Sequence, residues 1–290
     1  MAAGLAVALA ATACGGSNGT TTGAPSGGAT PSISADPALA AMVPAAIKAD
    51  GKIVVGTDST YAPVEFLAPD GKTIVGFDVD LFNAVARKLG LTVTWVSAPF
   101  DSIITGVGSG KYEVGVSAFT VNPDREKQAN MVTYFSAGTQ WATRKGNPNG
   151  VSPDQACGKR VAVQASTVQV PDLTSRSQKC TSGGKPAITI DQYQGQDDAT
   201  AAVVSGKDDA MLADSPVVAY AVQRTNGQLD VLGSIYDSAP YGYVVKKDDQ
   251  PMAQALQGAV QELIKSGTYQ QILGTWGVEG GAITTSQVNP

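Results

Sequence analysis

The sequence contains no histidine, and this absence excludes several kinds of functional site. Ser-His-Asp and Cys-His catalysis need an imidazole, and so do metal centres ligated by histidine. Positive charge is also sparse, because 20 Lys and Arg residues stand against 25 Asp and Glu residues and no basic cluster is longer than two or three residues. A nucleic-acid partner requires a positive surface, so we expect none.

Cysteine is scarce, and the first of the three cysteines occupies an informative position. Cys14 follows an apolar run of small residues over 2–13 and precedes two glycines. This pattern is typical of a bacterial lipoprotein signal, in which the cysteine becomes the lipidated first residue of the mature protein. The run is too short to be an ordinary transmembrane helix. An alanine-rich tail with an incidental cysteine is the alternative.

The segment after Cys14 has almost nothing to bury. Residues 15–37 consist largely of Gly, Ser, Thr and Pro. We therefore predict a signal region over 1–14 and a flexible tether over 15–40. Such a tether would hold a globular domain at the outer face of the bacterial membrane and leave it free to move.

The other two cysteines, Cys157 and Cys180, lie 23 residues apart. In an exported protein, pairing is the default state of two cysteines, so we expect a disulfide between them. Closing a loop of this size stabilises the fold by about 3 kcal/mol in the chain-entropy model. Two free buried thiols are the alternative, and they would require that the protein is not exported.

Apolar periodicity predicts two αβ halves in this 290-residue chain. The first half is predicted to run strand, helix, strand, helix, strand, over 52–57, 77–90, 91–96, 101–110 and 112–117. This order is typical of a parallel, doubly wound sheet flanked by helices.

The second half repeats the alternation after a turn-rich segment over 143–153, which predicts a crossing between two lobes. Its strands are predicted over 160–164, 209–214 and 241–247, and its helices over 197–206, 215–227, 252–267 and 268–277. No close sequence repeat accompanies the repeated pattern.

Ligands of αβ lobes bind at the carboxyl ends of strands, so the segments that follow strands are the candidate site. These segments are 57–61, 117–120, 164–167 and 214–215. They contain no nucleophile elbow, no P-loop and no metal-ligand spacing. We therefore expect a binding site without metal or cofactor.

A charge near these segments points to the chemistry of the ligand. Asn122 and Pro123 predict a helix start, and Arg125 lies in its first turn, against the helix dipole. A guanidinium there can grip a carboxylate bidentately, while Asp214 can hold an ammonium and Tyr61 can cover an apolar face. This set suits a zwitterion. Alternatively, Arg125 belongs to a solvated charged face and Asp214 only caps a helix.

Seven segments of the chain, in the same order, resemble the polar amino-acid branch of the solute-binding proteins of ABC importers. They are GTDSTYAPVEF (56–66), VGFDVDL (75–81), FDSIITGVGSGKYEVGVSAFTVNPDREK (100–127), GKRVAVQAST (158–167), DAMLADSPVVAY (209–220), YGYVVKK (241–247) and GTYQQILGTWG (267–277). The resemblance extends over about residues 52–277 of the chain.

The resemblance implies an α/β, two-lobed periplasmic-binding-protein fold of type II, in which each lobe is a mainly parallel sheet flanked by helices and a two-strand hinge joins the lobes. Lobe 1 would then comprise 50–144 and 241–280, and lobe 2 would comprise 145–240. A flexible tail would follow over 281–290.

The resemblance also implies contacts to the main-chain end of an amino acid. By position, Arg125 would bind the α-carboxylate, with Thr120 and the backbone of Ala118 contacting the ligand's main-chain groups. Thr167 would help at the carboxylate, and Asp214 would hold the α-ammonium. The chain departs from the family pattern at 165–168, where Ala-Ser-Thr-Val replaces the usual Gly-Thr.

At the other end of the ligand, the resemblance implies that Tyr61 and Phe100 form walls and that Asp58 reaches the side chain. Gln164 and Ser117 are further polar candidates there. Ordinary core packing is the alternative for the two rings, and a local Asx turn is the alternative for Asp58. Asp58 favours glutamine or a basic amino acid and opposes glutamate.

The predicted function is therefore capture of a polar amino acid between closing lobes and its delivery to a membrane permease, by a monomer anchored through Cys14. Two other classes of function stay open. One is an enzyme on the same fold, as in cyclohexadienyl dehydratases, with Glu65 or Asp58 as the general acid. The other is a ligand-sensing lobe of a signalling system.

Overall fold

The computed structural model describes residues 33–290 of the chain. The predicted signal region and its Cys14, with most of the predicted tether, lie outside the described residues. The predicted tether ends earlier than expected, because helix α1 begins at Pro37. Asp36 caps this helix by accepting from the backbone N–H of Ala38 at 2.8 Å. Leu39 packs on the large core and so removes an apolar side chain from water.

The described residues form ten α-helices and eleven strands, numbered in chain order. The helices are α1 (Pro37–Met42), α2 (Ala45–Asp50), α3 (Phe77–Lys88), α4 (Phe100–Gly108), α5 (Pro123–Gln128), α6 (Gln169–Ser182), α7 (Gln196–Ser205), α8 (Ser215–Arg224), α9 (Gln250–Ser266) and α10 (Thr268–Trp276). The strands are β1 (Lys52–Thr57), β2 (Thr60–Tyr61), β3 (Glu65–Leu67), β4 (Ile74–Val75), β5 (Thr92–Ser97), β6 (Val114–Gly115), β7 (Ala129–Arg144), β8 (Arg160–Gln164), β9 (Thr189–Tyr193), β10 (Ala210–Asp214) and β11 (Leu229–Lys246). No helix among residues 33–290 is long and apolar enough to span a membrane.

Eight strands form one sheet in the order β5-β1-β6-β11-β7-β10-β8-β9. Strands β5, β1 and β6 run parallel at one end, and β10, β8 and β9 run parallel at the other. Between them, β7 and β11 pair antiparallel over most of their length. We call the halves the first lobe (β1, β5, β6 and their helices) and the second lobe (β8, β9, β10 and their helices). The predicted two-lobed α/β fold is confirmed, and we propose that the lobe boundaries run as predicted.

Packing explains why these segments become helices. In α3, Leu81, Phe82 and Val85 are fully buried, and their spacing of three and four residues places them on one face. Helix α9 buries Leu256 and Val260 in the same way. Burying one such side chain stabilises the fold by about 1.5–3 kcal/mol. Helix α3 therefore packs against β5, and α9 packs against α3 and β7.

The second lobe contains the predicted disulfide, which is confirmed. The Cys157 and Cys180 sulfur atoms are bonded at 1.99 Å and link the loop before β8 to helix α6. Cys180 is buried beside Leu173 and Val161 in the core of this lobe. The bond thus ties α6, whose first turn borders the cleft, to the sheet.

The carboxyl-terminal segment differs from the expected flexible tail over 281–290. Ser286 is buried, Gln287 accepts from the N–H of Thr133 at 2.9 Å, and the N–H of Asn289 donates to Met131 at 2.9 Å. The tail pairs with the part of β7 that lies beyond the reach of β10. Unpaired backbone groups there would cost free energy, and the tail satisfies them.

Candidate ligand-binding site

The ten residues predicted to contact a ligand all border one cavity in the cleft between the lobes. They are Asp58, Tyr61, Phe100, Ser117, Ala118, Thr120, Arg125, Gln164, Thr167 and Asp214. The cavity is narrow, with ≈ 10 Å³ of space that the centre of a water molecule can occupy, which is room for about one water. The structure therefore brings the predicted residues together at the carboxyl ends of β1, β6, β8 and β10, while their individual roles stay predictions.

Two residues that the sequence did not predict also border the cavity, Val168 and Gln169. Gln169 is the first residue of α6 and is 2% exposed. It lies only two positions beyond Thr167. Extending the searched segment 164–167 by two residues would have included it.

Arg125 is buried rather than part of a solvated face. Asn122 caps α5 by accepting from the backbone N–H of Arg125 at 3.0 Å. The guanidinium lies 5.4 Å from the ring centroids of both Phe100 and Phe119, an arrangement that stabilises a cation. Burial lowers the pKa of Arg125 to about 10, and the charge of Asp214 opposes this effect. The side chain therefore stays a cation at neutral pH.

The hydrogen bonds of Arg125 leave donors available. Its Nη1 donates to the carbonyl of Thr120 at 2.8 Å, and its Nη2 donates across the cleft to the carbonyl of Ser166 at 3.3 Å. A guanidinium has five N–H donors, and an ionised acceptor binds them more strongly than a neutral carbonyl does. Among the described residues, no carboxylate lies within 4.0 Å of this guanidinium. The arrangement suits an anionic ligand group.

Asp214 occupies the cap position of α8, but its side chain makes no cap hydrogen bond. Its carboxylate instead accepts from Gln169 Nε2 at 2.7 Å and from the hydroxyl of Tyr241 at 2.7 Å. Burial raises the pKa of Asp214, while the hydrogen bonds from Tyr241, Gln169 and Tyr61 and the charge of Arg125 oppose the rise. The side chain is therefore held within the cavity wall.

Arg125 and Asp214 face the same cavity from opposite lobes without forming an ion pair with each other. Each influences the pKa of the other through its charge. Both are buried, at 8% and 6% exposure, so each charge has lost most of its contact with water. A buried charge is costly unless it is paired, and a ligand that carries both charges would pair them together.

Asp58 follows β1 and is 4% exposed. Its Oδ1 accepts from the backbone N–H and the hydroxyl of Thr60, which is the local turn expected as an alternative. Its Oδ2 accepts from the N–H of Phe100 at 3.2 Å and from Gln164 Nε2 at 2.8 Å. Burial raises the pKa of Asp58, and these four hydrogen bonds oppose the rise. The local turn is therefore present, and a contact from Asp58 to a ligand side chain stays a prediction.

The polar groups of the Ser117–Ala118 turn are engaged with the protein. Ser117 Oγ donates to Glu65 Oε1 at 3.0 Å and accepts from the N–H of Asp58 at 3.0 Å. Ala118 has a φ of 46°, a left-handed conformation that costs a non-glycine residue free energy. Its N–H donates to Asp78 Oδ2 at 3.4 Å, a long bond that a ligand carboxylate could replace.

Thr167 has its hydroxyl engaged locally. Its Oγ1 donates to the carbonyl of Gln164 at 2.8 Å, so the first residues beyond β8 form a closed turn. Neighbouring Ser166 has a φ of 64°, a left-handed conformation that a glycine would adopt without strain. The departure at 165–168 thus places a strained non-glycine residue where the chain turns over the cavity.

Two fully buried carboxyl groups, Glu65 and Asp78, lie directly behind the Ser117–Ala118 turn. Burial raises the pKa of Glu65 well above its usual range and that of Asp78 to about 7. Glu65 Oε2 and Asp78 Oδ1 have no hydrogen-bond partner among the described residues. A proton shared between the two carboxyl groups would satisfy both oxygens and keep one of the acids neutral, as the raised pKa values of both groups indicate.

We expect Glu65→Gln to flatten the dependence of stability on pH. Because both pKa values are raised, the folded protein keeps protons that the unfolded chain loses near 4, and wild-type stability falls as the pH rises through the folded values. The free energy of unfolding changes by up to about 1.4 kcal/mol per pH unit for each proton that only the folded state holds. Glutamine can accept from Ser117 and donate to Asp78 without a titrating proton. Urea unfolding at pH 5, 6, 7 and 8 measures the slopes.

The matched control for this experiment is Glu262→Gln, which changes a partly exposed glutamate on α9. Its slope should follow that of the wild type. Parallel slopes for Glu65→Gln and the wild type would show that the pair holds no proton in this pH range.

Comparison with known proteins identifies the class to which this fold and site belong. The profile of the bacterial extracellular solute-binding proteins, family 3, matches residues 53–279. The chain belongs to this family, which confirms the resemblance seen in the sequence.

Particular members of known function show what the chain is similar to. The arginine-binding protein of Corynebacterium glutamicum is 37% identical over 256 residues, which cover 87% of this chain and 83% of that protein. An ancestral arginine-binding protein bound to glutamine is 31% identical, with a TM-score of 0.71 over 79% of this chain and 99% of that one. An ancestral amino acid-binding protein described as a precursor of cyclohexadienyl dehydratase is 28% identical, with a TM-score of 0.71 over 80% and 97% of the two chains.

Proposed function

We propose that this chain is the extracytoplasmic substrate-binding component of an ABC importer and that it captures a polar amino acid, arginine first and glutamine second. The observation that carries the proposal is the pair of buried, mutually unpaired charges, Arg125 and Asp214, which line one cavity from different lobes. Their separation onto two lobes matches the two charges that every free α-amino acid carries. Similarity to arginine-binding proteins supports arginine as the first choice.

Closure of the lobes follows from this distribution of charge. The first lobe supplies Arg125 and the second lobe supplies Asp214, so neither lobe alone pairs both charges of the ligand. Bringing the lobes together removes water, and the weaker dielectric screening strengthens both ion pairs. The ligand therefore favours the closed form through its differential affinity, with β7 and β11 as the hinge. The closed form would then dock on a membrane permease and release the amino acid.

We infer that the chain binds its ligand without transforming it. The curated relative named above, from Corynebacterium glutamicum, is a binding protein. Of the two candidate general acids, Glu65 is fully buried behind the turn, and Asp58 already accepts four hydrogen bonds. The similarity to a precursor of cyclohexadienyl dehydratase makes catalysis the second candidate function. Turnover of prephenate or arogenate by the purified protein would establish it, and we expect none.

We also propose that Cys14 carries a lipid and that the monomeric protein acts at the outer face of the bacterial membrane. The apolar run before Cys14 supports this proposal. Metabolic labelling with a fatty acid would detect the lipid, and a protein that stays unlabelled would overturn the proposal.

A thermal-shift and calorimetric screen of the full chain against the twenty amino acids tests the proposed ligand class. We expect L-arginine to raise the Tm, because a ligand at roughly 100 times its Kd stabilises the folded state by about 2.7 kcal/mol. Agmatine, which lacks the carboxylate, and N-acetylarginine, which lacks the ammonium, should bind far more weakly. If none of the twenty amino acids stabilised the protein, the proposal would be rejected.

A further inference from the structure

Gln164 makes a hydrogen bond that joins the two lobes inside the cavity. It is the last residue of β8 in the second lobe, and it is 1% exposed. Its Nε2 donates to Asp58 Oδ2 in the first lobe at 2.8 Å and to the carbonyl of Gln194 at 3.0 Å. These bonds fix the direction of the amide while the two lobes are in contact.

The two partners of Gln164 also settle which end of its amide is which. Asp58 Oδ2 and the carbonyl of Gln194 only accept, so the group facing them must be the NH₂. Both of its hydrogens are then used. The opposite end is the acceptor Oε1, for which the hydrogen bonds among residues 33–290 include no donor.

Asp58 has no free acceptor position for a ligand. A carboxylate offers about four lone-pair positions. Thr60 fills those of Oδ1 with its N–H and hydroxyl, and Phe100 and Gln164 fill those of Oδ2. A ligand donor would have to displace one of these bonds. The acceptor that remains at this end of the cavity is Gln164 Oε1.

We propose that Gln164 determines the side-chain specificity of the site. Its Oε1 accepts from an N–H at the far end of the ligand side chain, while Asp58 holds the amide in place and supplies a negative field behind it. The inference rests on the proposed function and defines the ligand class further. The site selects side chains that end in N–H donors, favours cationic ones and rejects a terminal carboxylate.

The hydrogen bond between Gln164 and Asp58 makes the selection of the ligand side chain depend on closure of the two lobes. Gln164 and Asp58 belong to different lobes, so separating the lobes breaks their hydrogen bond and frees the amide to turn. The acceptor is oriented only when the lobes meet, and a side chain without a donor leaves it unpaired in the closed form. Leaving a buried acceptor unpaired costs free energy, so such a ligand favours closure less.

The test compares two ligands in two variants by calorimetry on the full chain. L-Arginine and L-norvaline share both main-chain charges, but only arginine has distal N–H groups. We expect Gln164→Met to weaken arginine binding by roughly 10–100-fold and to leave norvaline binding within about 3-fold, because a hydrogen bond to a charged group is lost. Gln192→Met changes an exposed glutamine on β9 of the same lobe, outside the cavity, and it should alter the binding of neither ligand.

Each outcome decides a separate point. If Gln164→Met bound norvaline as before and kept the wild-type preference for arginine, the specificity role would be wrong while the proposed function stood. If the wild-type protein bound no amino acid, the proposed function itself would fail. If the methionine variant did not fold, wild-type affinities for glutamine and glutamate would decide. These ligands have the same shape, and equal affinities would overturn the inference.

Discussion

Replacing Arg125 by alanine is expected to remove amino-acid binding almost completely and to leave the fold intact. The loss should reach roughly 10²–10³-fold, because truncating one partner of a buried, hydrogen-bonded charge pair costs about 2–5 kcal/mol. The cation's own protein partners are two backbone carbonyls and two aromatic rings, so the fold does not depend on an ion pair with it. Calorimetric titration with L-arginine measures the loss.

The same helix offers a matched control for Arg125→Ala. Lys127 lies two residues further along α5, is exposed and pairs only with Asp124 on the surface. Lys127→Ala should leave the affinity unchanged. Arg125→Lys should fall between the wild type and the alanine variant, because it keeps the charge and loses the bidentate fork. Wild-type affinity in Arg125→Ala would rule out the carboxylate role.

The sequence predicted those strands whose apolar runs are bounded by turns, but of the two long hinge strands its local pattern predicted only 241–247, at the end of β11. Strands β1 and β8 fall where their short buried runs predicted them. Strand β7 is buried along most of its 16 residues, so it shows neither alternation nor helical spacing. Its partner β11 has register shifts between Leu232 and Tyr236 and again before Ala239. Pairing between segments about 100 residues apart defines both strands, and local patterns do not report it.

The site was more predictable than the hinge because its position follows from a rule of topology. In parallel αβ sheets the residues after strands converge at one edge, and ten predicted residues do so here. The supporting groups could not be predicted in this way. Tyr241 reaches Asp214 from the middle of β11, and Asp78 supports Ala118 from α3. Such contacts depend on how distant elements pack, which a pattern along the chain does not encode.

The second large effect concerns the ammonium end of the ligand. We expect Asp214→Asn to weaken amino-acid binding by roughly 100-fold, because it removes the buried negative charge and keeps the shape of the side chain. Asparagine can still accept from Gln169. Tyr241 can still form a hydrogen bond with the new amide group, because a phenol hydroxyl both donates and accepts. The unliganded protein should therefore be at least as stable as the wild type, since the burial that raises the pKa of Asp214 no longer acts on a charge.

The pH dependence separates this charge effect from a packing effect. Protonation neutralises Asp214, and its raised pKa places this step above the usual range for aspartate. Wild-type affinity should therefore fall on acidification towards pH 4, while Asp214→Asn should lose this component of the pH dependence. Asp198→Asn, which changes an exposed residue of α7 on the same lobe and outside the cavity, is the control and should keep the wild-type profile. Full affinity in Asp214→Asn would exclude the ammonium role, because a neutral amide cannot replace a buried carboxylate opposite a cation.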